Sequence, residues 1–94
     1  MHLSASAQAG SGNKSDVLVS VSPAQELNVV FQAKPIILKQ FGAQIQQVIR
    51  QTAVEEDVDG ANIEVKDGGG ALDFVIRARV RAALRRAKGG EHHD

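Results

Sequence analysis

The hydrophobic period changes at Pro35, and that change dictates most of what this chain can become. Before it, apolar residues recur at every second position: Val17, Val19 and Val21, then Leu27, Val29 and Phe31. A period of two puts each set on one face of a strand. Pro23 stops the first run, and the S-P-A-Q stretch makes a short turn. Two strands with a short connection predict an antiparallel hairpin. Ser20, Ser22, Asn28 and Gln32 fall on its other face, which predicts a wet side. After Pro35 the spacing becomes helical. Ile37, Phe41, Ile45, Ile49 and Thr52 follow one another on one face, with Leu38 and Val48 beside them and Lys39, Gln40, Gln44, Gln47, Arg50 and Gln51 opposite. Proline is tolerated in a first helical turn because its missing N–H has no partner there. This helix is predicted to end near Glu55.

Residues 61–66 give a third, short strand with Ile63 and Val65 inward. Asp67 and the glycines at 68, 69 and 70 break it, with Asp67 a candidate N-cap. A second helix is predicted over about residues 71–88, with Leu72, Val75, Ile76, Val80, Ala83, Leu84 and Ala87 on its apolar face and Gly89 and Gly90 ending it. The order strand, strand, helix, strand, helix predicts a two-layer α+β domain: a small antiparallel sheet with two helices on one face. At 94 residues the chain has length for one core. Residues 1–15, rich in Ser, Ala, Gly and Asn, are expected to be a flexible N-terminal segment, residues 16–88 the domain, and 89–94 a disordered tail. In the core, Phe41, Ile45 and Ile49 are expected against Val17, Val19, Leu27 and Val29, and against Val75 and Val80.

Most function classes drop out on composition. Lys plus Arg and Asp plus Glu both number 11, so global charge selects no partner. The absence of cysteine excludes a disulfide scaffold, a thiolate metal site and a cysteine nucleophile. No apolar run approaches the ~20 residues that span a bilayer, and the first residues lack the apolar core of a signal peptide. No membrane association is expected, and the expected setting is cytoplasmic. With Phe31, Phe41 and Phe74 as the aromatics, a stacking platform for bases is not available. Gly68 to Gly70 lack the spacing and lysine of a phosphate-binding loop and read as a turn. His92 and His93, adjacent in a tail, and His2 lack ligand geometry, so no metal site is expected. Glu55, Glu56, Asp57 and Asp59 read as a solvated helix end rather than a paired-carboxylate site. The chain is not expected to make or break bonds itself.

Two features remain. The second helix carries Arg77, Arg79, Arg81, Arg85, Arg86 and Lys88 with no acid among them. Such a run is either a solvated face with favourable charge at a helix C-terminus or a docking face for an acidic or phosphate-rich partner. Arg77, Arg81 and Arg85 share a face and are the candidates for partner contact. At the mouth of the first strand, Ser15 stands between Lys14 and Asp16. It is either a turn serine or a point of attachment.

The stretches K-Q-F-G-A-Q-I-Q-Q-V-I-R-Q-T at 39–52 and G-G-G-A-L-D-F-V-I-R-A-R-V-R-A-A-L-R-R-A at 68–87 resemble the citrate lyase acyl carrier protein family, the gamma subunit. The family pattern is a helix opening on Q-F-G, a short strand, a D-x-G-A-L-[DE] turn and an R-A-R helix. Here Gln40-Phe41-Gly42, residues 67–72 with Asp73, and Arg77-Ala78-Arg79 follow it in order, with one more glycine between Asp67 and Gly70 than the pattern has. The N-terminal A-G-S-G-N-K-S-D-V is similar to the family's A-G-x-x-E-S-x-D-V. The resemblance covers about residues 7–88. It implies a non-catalytic carrier subunit that holds acetyl and citryl thioesters on a serine-linked phosphoribosyl dephospho-coenzyme A group, during cleavage of citrate to acetate and oxaloacetate. The implied partners are the alpha (acyl transferase) and beta (citryl lyase) subunits and a prosthetic-group transferase. Aligned without gaps, the family's serine position holds Lys14, and Ser15 follows it directly before Asp16. The resemblance thus implies attachment at Ser15, with Ser11, in an S-G-N stretch like the S-G-[DN] of malonate decarboxylase carriers, as the alternative, and an unmodified chain as a third outcome. Asp16 sits where an attaching enzyme could read it. The alternative functions are a malonate decarboxylase-type carrier, or a small RNA-binding or assembly module using the arginine helix; zero net charge and few aromatics argue against nucleic acid.

Overall fold

Both hydrophobic periods become structure. The computed structural model describes residues 1–89; His92, His93 and the rest of the expected 89–94 tail beyond Gly89 lie outside the described residues. The elements in order are β1 (Ala7–Gly10), β2 (Val17–Pro23), β3 (Leu27–Gln32), α1 (Pro35–Glu55), β4 (Ala61–Asp67) and α2 (Asp73–Ala87). This is the predicted α+β arrangement with one strand more. Pro35 does open α1 at its first turn.

The sheet differs from the expectation in two ways. Its order is β1-β2-β4-β3. β2 and β3 are therefore not a hairpin: β4 lies between them, antiparallel to β2 with Val19 opposite Val65 and parallel to β3 with Val29 opposite Ile63. The sheet is mixed rather than antiparallel. The parallel pair needs a long crossover, and α1 is that crossover. The second difference is β1, which lies in the segment expected to be flexible. It pairs antiparallel with β2, Ala9 opposite Val19, and buries Ala9. Farther toward the N-terminus, Leu3 is also buried, and its N–H donates to the Gly60 carbonyl at 2.9 Å.

One face of the sheet carries Ala9, Val17, Val19, Val21, Val29, Phe31, Ile63 and Val65, all buried. Against it lie Ile45, Val48, Ile49, Thr52 and Ala53 of α1 and Ile76, Val80, Ala83, Leu84 and Ala87 of α2. Gln8, Asn28, Asn62, Glu64 and Lys66 occupy the other face, which is wet as expected. The buried Thr52 hydroxyl donates to the Val48 carbonyl, so its burial leaves no donor unpaired. The apolar stripe of α1 does not bury along its whole length. Phe41, expected in the core, is 46% exposed, and Ile36 and Leu38 are exposed with it. Burial begins at Ile45. Val75 and Leu27 are half-buried rather than central.

Candidate functional site

The β1–β2 connection, residues 11–16, is built almost entirely from backbone and short polar groups. Gly10 ends β1 at φ +87°, and the Ser11 N–H donates to the Val17 carbonyl at 3.0 Å. Asp16 N–H donates to the Asn13 carbonyl at 3.0 Å, which closes a tight turn over residues 13–16. Ser15 is the third residue of that turn and has φ +65°. This is the left-handed position at which turns favour glycine. The Ser15 side chain is exposed, and among the described residues no side chain bonds its hydroxyl.

A second loop, residues 67–72, supports this turn. Ser15 N–H donates to the Gly69 carbonyl and Gly68 N–H donates to the Asp16 carbonyl, each at 2.9 Å. A side chain at position 68 would run into the backbone of Gly12 and Asn13, so the close approach of the two loops requires glycine there. Asp67 is not the N-cap of α2. Its carboxylate accepts from the N–H groups of Gly70 and Ala71 at 3.0 and 3.1 Å and folds the loop, while Leu72 precedes the helix without a side-chain cap.

Asp16 ties the turn to the second helix. Arg79 Nε donates to its Oδ1 at 2.9 Å and Nη2 to its Oδ2 at 3.1 Å. The Ser11 hydroxyl donates to Oδ2 at 2.7 Å and the Val17 N–H to Oδ1 at 2.8 Å. These donors, Arg79 above all, then Ser11 and Val17, lower the Asp16 carboxyl from 3.8 to about 2. Asp16 is therefore ionised and fully engaged within the chain. Ser11, the alternative attachment residue, is half-buried and its hydroxyl proton is committed to Asp16. Ser15 and Lys14 face solvent.

The arginine trio lies elsewhere. Arg81 donates to Glu56 at 3.1 Å and to Glu55 at 3.0 Å, and Arg85 holds Glu56 in two bonds of 2.9 and 3.2 Å. Lys88 donates to the Glu56 carbonyl at 2.7 Å. Glu56 is 9% exposed, and Arg85 first, then Arg81 and Lys88, lower its carboxyl against the opposing effect of burial. Glu55 and Glu56, read from sequence as a solvated helix end, thus bind the end of α1 to α2. Arg77 makes one bond, to Gln51 at 3.2 Å. Arg79, which reaches the 13–16 turn, is named from sequence in the cationic run and the R-A-R motif but not as a site residue. It lies 63 positions from Asp16, and no local pattern reports such a pairing.

Beside the 67–72 loop runs an apolar groove of about 320 Å³. Phe31, Ile37, Phe41 and Ile45 line one side, Gly70, Ala71 and Leu72 the other, and Gln44 and Asp73 meet at its edge, where Gln44 Nε2 donates to Asp73 at 3.2 Å. Phe41 and Leu72, exposed at 46% and 60%, belong to the two motifs of the resemblance.

The comparisons with known proteins agree with that resemblance. A family model described as the malonate decarboxylase delta subunit (MdcD) matches residues 4–87. A protein of Klebsiella pneumoniae named citrate lyase acyl carrier protein is 42% identical over 87 residues, covering 93% of this chain and 89% of that protein. A protein of the same name from Streptococcus pyogenes is 40% identical over 94 residues, covering 100% of this chain and 91% of the relative.

Proposed function

Because the chain belongs to the family of the citrate lyase acyl carrier proteins, we propose that it is the acyl carrier subunit of a citrate lyase complex and carries its prosthetic group on Ser15. One observation carries the choice of residue. A serine occupies a left-handed turn position that glycine fills at lower cost, and its hydroxyl faces solvent on a turn that both neighbouring elements hold in place. Backbone strain of this kind concentrates where a side chain is needed for function. Ser11 fits less well, since its hydroxyl already donates to Asp16.

The residues present fit a phosphodiester-linked group. The exposed Ser15 hydroxyl is the bonding atom, and the exposed Lys14 beside it supplies a cation for a phosphate. Asp16 would not oppose that phosphate strongly, because Arg79 neutralises its charge. A phosphoribosyl dephospho-coenzyme A group supplies a distant thiol, on which acyl groups are held as thioesters. The chain's own part is to hold the mount, through Ser15 and Gly69, Asp16 and Arg79, and to present a surface to the acyl transferase and citryl lyase subunits and to the attaching transferase. Of the arginine trio, Arg77 is the member bound to no acid among the described residues and the one we assign to a partner. Arg81 and Arg85 bind Glu55 and Glu56, which engages two of the cations that an RNA-binding module would use. No described helix is long and apolar enough to cross a membrane.

The test is maturation with the chain's own attaching enzymes, followed by intact mass and peptide mapping. Wild type and Ser11→Ala are expected to gain the adduct and Ser15→Ala to lack it while folding normally. An adduct that survives Ser15→Ala moves the site, and a wild-type chain that stays unmodified removes the carrier reading. The family model's description favours a second reading, a malonate decarboxylase carrier. Release of carbon dioxide from malonate by malonate decarboxylase subunits supplied with the matured chain, with no oxaloacetate released from citrate by citrate lyase subunits, would select it.

A further inference from the structure

Folding does not account for the two motifs at residues 40–42 and 70–73. Phe41 and Leu72 stay 46% and 60% exposed on opposite walls of the groove of about 320 Å³, over Phe31 and Ile45, which are buried. The wall formed by Gly70, Ala71 and Leu72 belongs to the loop that holds the attachment turn: the Ser15 N–H bonds Gly69, and the next residue lines the groove. Its lining contains no cation, and its carboxylates are Asp67 and Asp73.

We propose that this groove binds the uncharged, thiol-bearing end of the arm carried on Ser15 and shelters it between transfers. The inference rests on the carrier reading above. A pantetheine-type chain consists of methyl and methylene groups, a secondary hydroxyl at the end nearer the phosphate, two amides and a thiol. The walls suit its apolar part, and the Gln44 amide and Asp73 carboxylate at the edge can exchange hydrogen bonds with its amides. Asp67 and Asp73 repel the pyrophosphate and any acyl group that bears carboxylates, so those parts stay outside. Attachment beside the groove makes binding intramolecular, at an effective concentration on the order of millimolar, so an intrinsic dissociation constant of about the same size keeps roughly half of the arms docked.

The test has two parts. S-acetylpantetheine titrated into the unmodified chain should shift the amide NMR signals of Phe41, Gln44 and residues 70–73 to saturation, and Leu72→Asp should abolish those shifts. Shifts elsewhere, or none at tens of millimolar, overturn the proposal. In the matured chain the thiol should react with iodoacetamide about twofold more slowly than free dephospho-coenzyme A, and at the free rate in Leu72→Asp. Equal rates in wild type overturn the groove's role while the mass adduct keeps the carrier reading; absence of the adduct removes that reading and the arm with it. Shifts of the same amides that follow chain concentration alone would make the groove a contact between two copies. Masking of these amides by an added citrate lyase subunit, with the thiol of the isolated carrier unprotected, would assign it to that subunit. Either result overturns the proposal.

Discussion

Ser15 holds φ +65° in the turn that the Asp16 N–H closes on the Asn13 carbonyl. For an L-residue the left-handed conformation costs about 1–2 kcal/mol, while glycine there adds freedom to the unfolded chain that offsets part of the gain. Ser15→Gly should therefore stabilise the fold by up to about 1 kcal/mol in chemical denaturation and, in the same variant, lose the mass adduct. Unchanged or lower stability would show that the turn is relaxed. Phe41 gives the opposite lesson. Its place in the stripe with Ile45 and Ile49 is correct, yet periodicity records a face and not how far along that face the neighbouring sheet extends. Ile49 is fully buried and Phe41 half out. Phe41→Ala should cost less than about 1 kcal/mol and Ile49→Ala about 2–5 kcal/mol, measured by urea melts. From its neighbours Ser15 read equally as a turn serine, and the family resemblance made it the attachment candidate; its strain was not legible, since nothing local announces a positive φ at serine.

Among the elements, α2 shows where part of an arginine run is engaged. Sequence separates a solvated face from a docking face poorly, because the acids that decide the matter lie on another helix. Glu56, nearly buried, takes Arg81 and Arg85 together. Removing both guanidinium groups leaves a carboxylate short of donors in a dry place. Arg81→Gln with Arg85→Gln should lower stability at neutral pH, by less than the loss of a fully buried pair because Arg85 faces solvent. Glu56 has its carboxyl lowered from 4.5 in the folded chain. Its contribution is therefore complete above that value and lost as pH falls through the lowered one. The stability gap between wild type and the double variant should close over that acid range in a pH series of melts; a gap that persists in acid means the arginines act by packing. β1 is the element that sequence hid. Ala5, Ala7 and Ala9 do alternate, but alanine buries so little area that the alternation resembles a small-residue linker. The supposed hairpin failed for a different reason. Alternation fixes which face each of β2 and β3 presents, and it carries no information on whether a later strand inserts between them.

For the molecule as a whole, the Asp16–Arg79 pair joins the first connection of the chain to its last helix. The Asp16 carboxyl falls from 3.8 to about 2 on folding, so its stabilising effect is present above pH 3.8 and disappears as pH drops toward 2. The protection of the Ser15 and Asp16 amides, each measured against its intrinsic exchange rate at the same pH, should fall over that interval in wild type and be low throughout in Asp16→Asn; protection that persists at pH 2 would show that the backbone bonds to the 67–72 loop suffice alone. The two-layer plan was readable because period two and period 3.6 each mark a buried face, and the family motifs pointed to a carrier. The contacts that fix the 13–16 turn were not readable, being made by backbone groups and by a partner far away in sequence. Those contacts also bear on reach. For an arm carried on Ser15 as proposed, the turn held by Gly69 and Arg79 is a pivot fixed on the carrier's own surface, so the tip ranges within one arm's length of that point while the domain stays put. Two active sites farther apart than twice that length are beyond the arm alone and are served only if the whole domain moves between them.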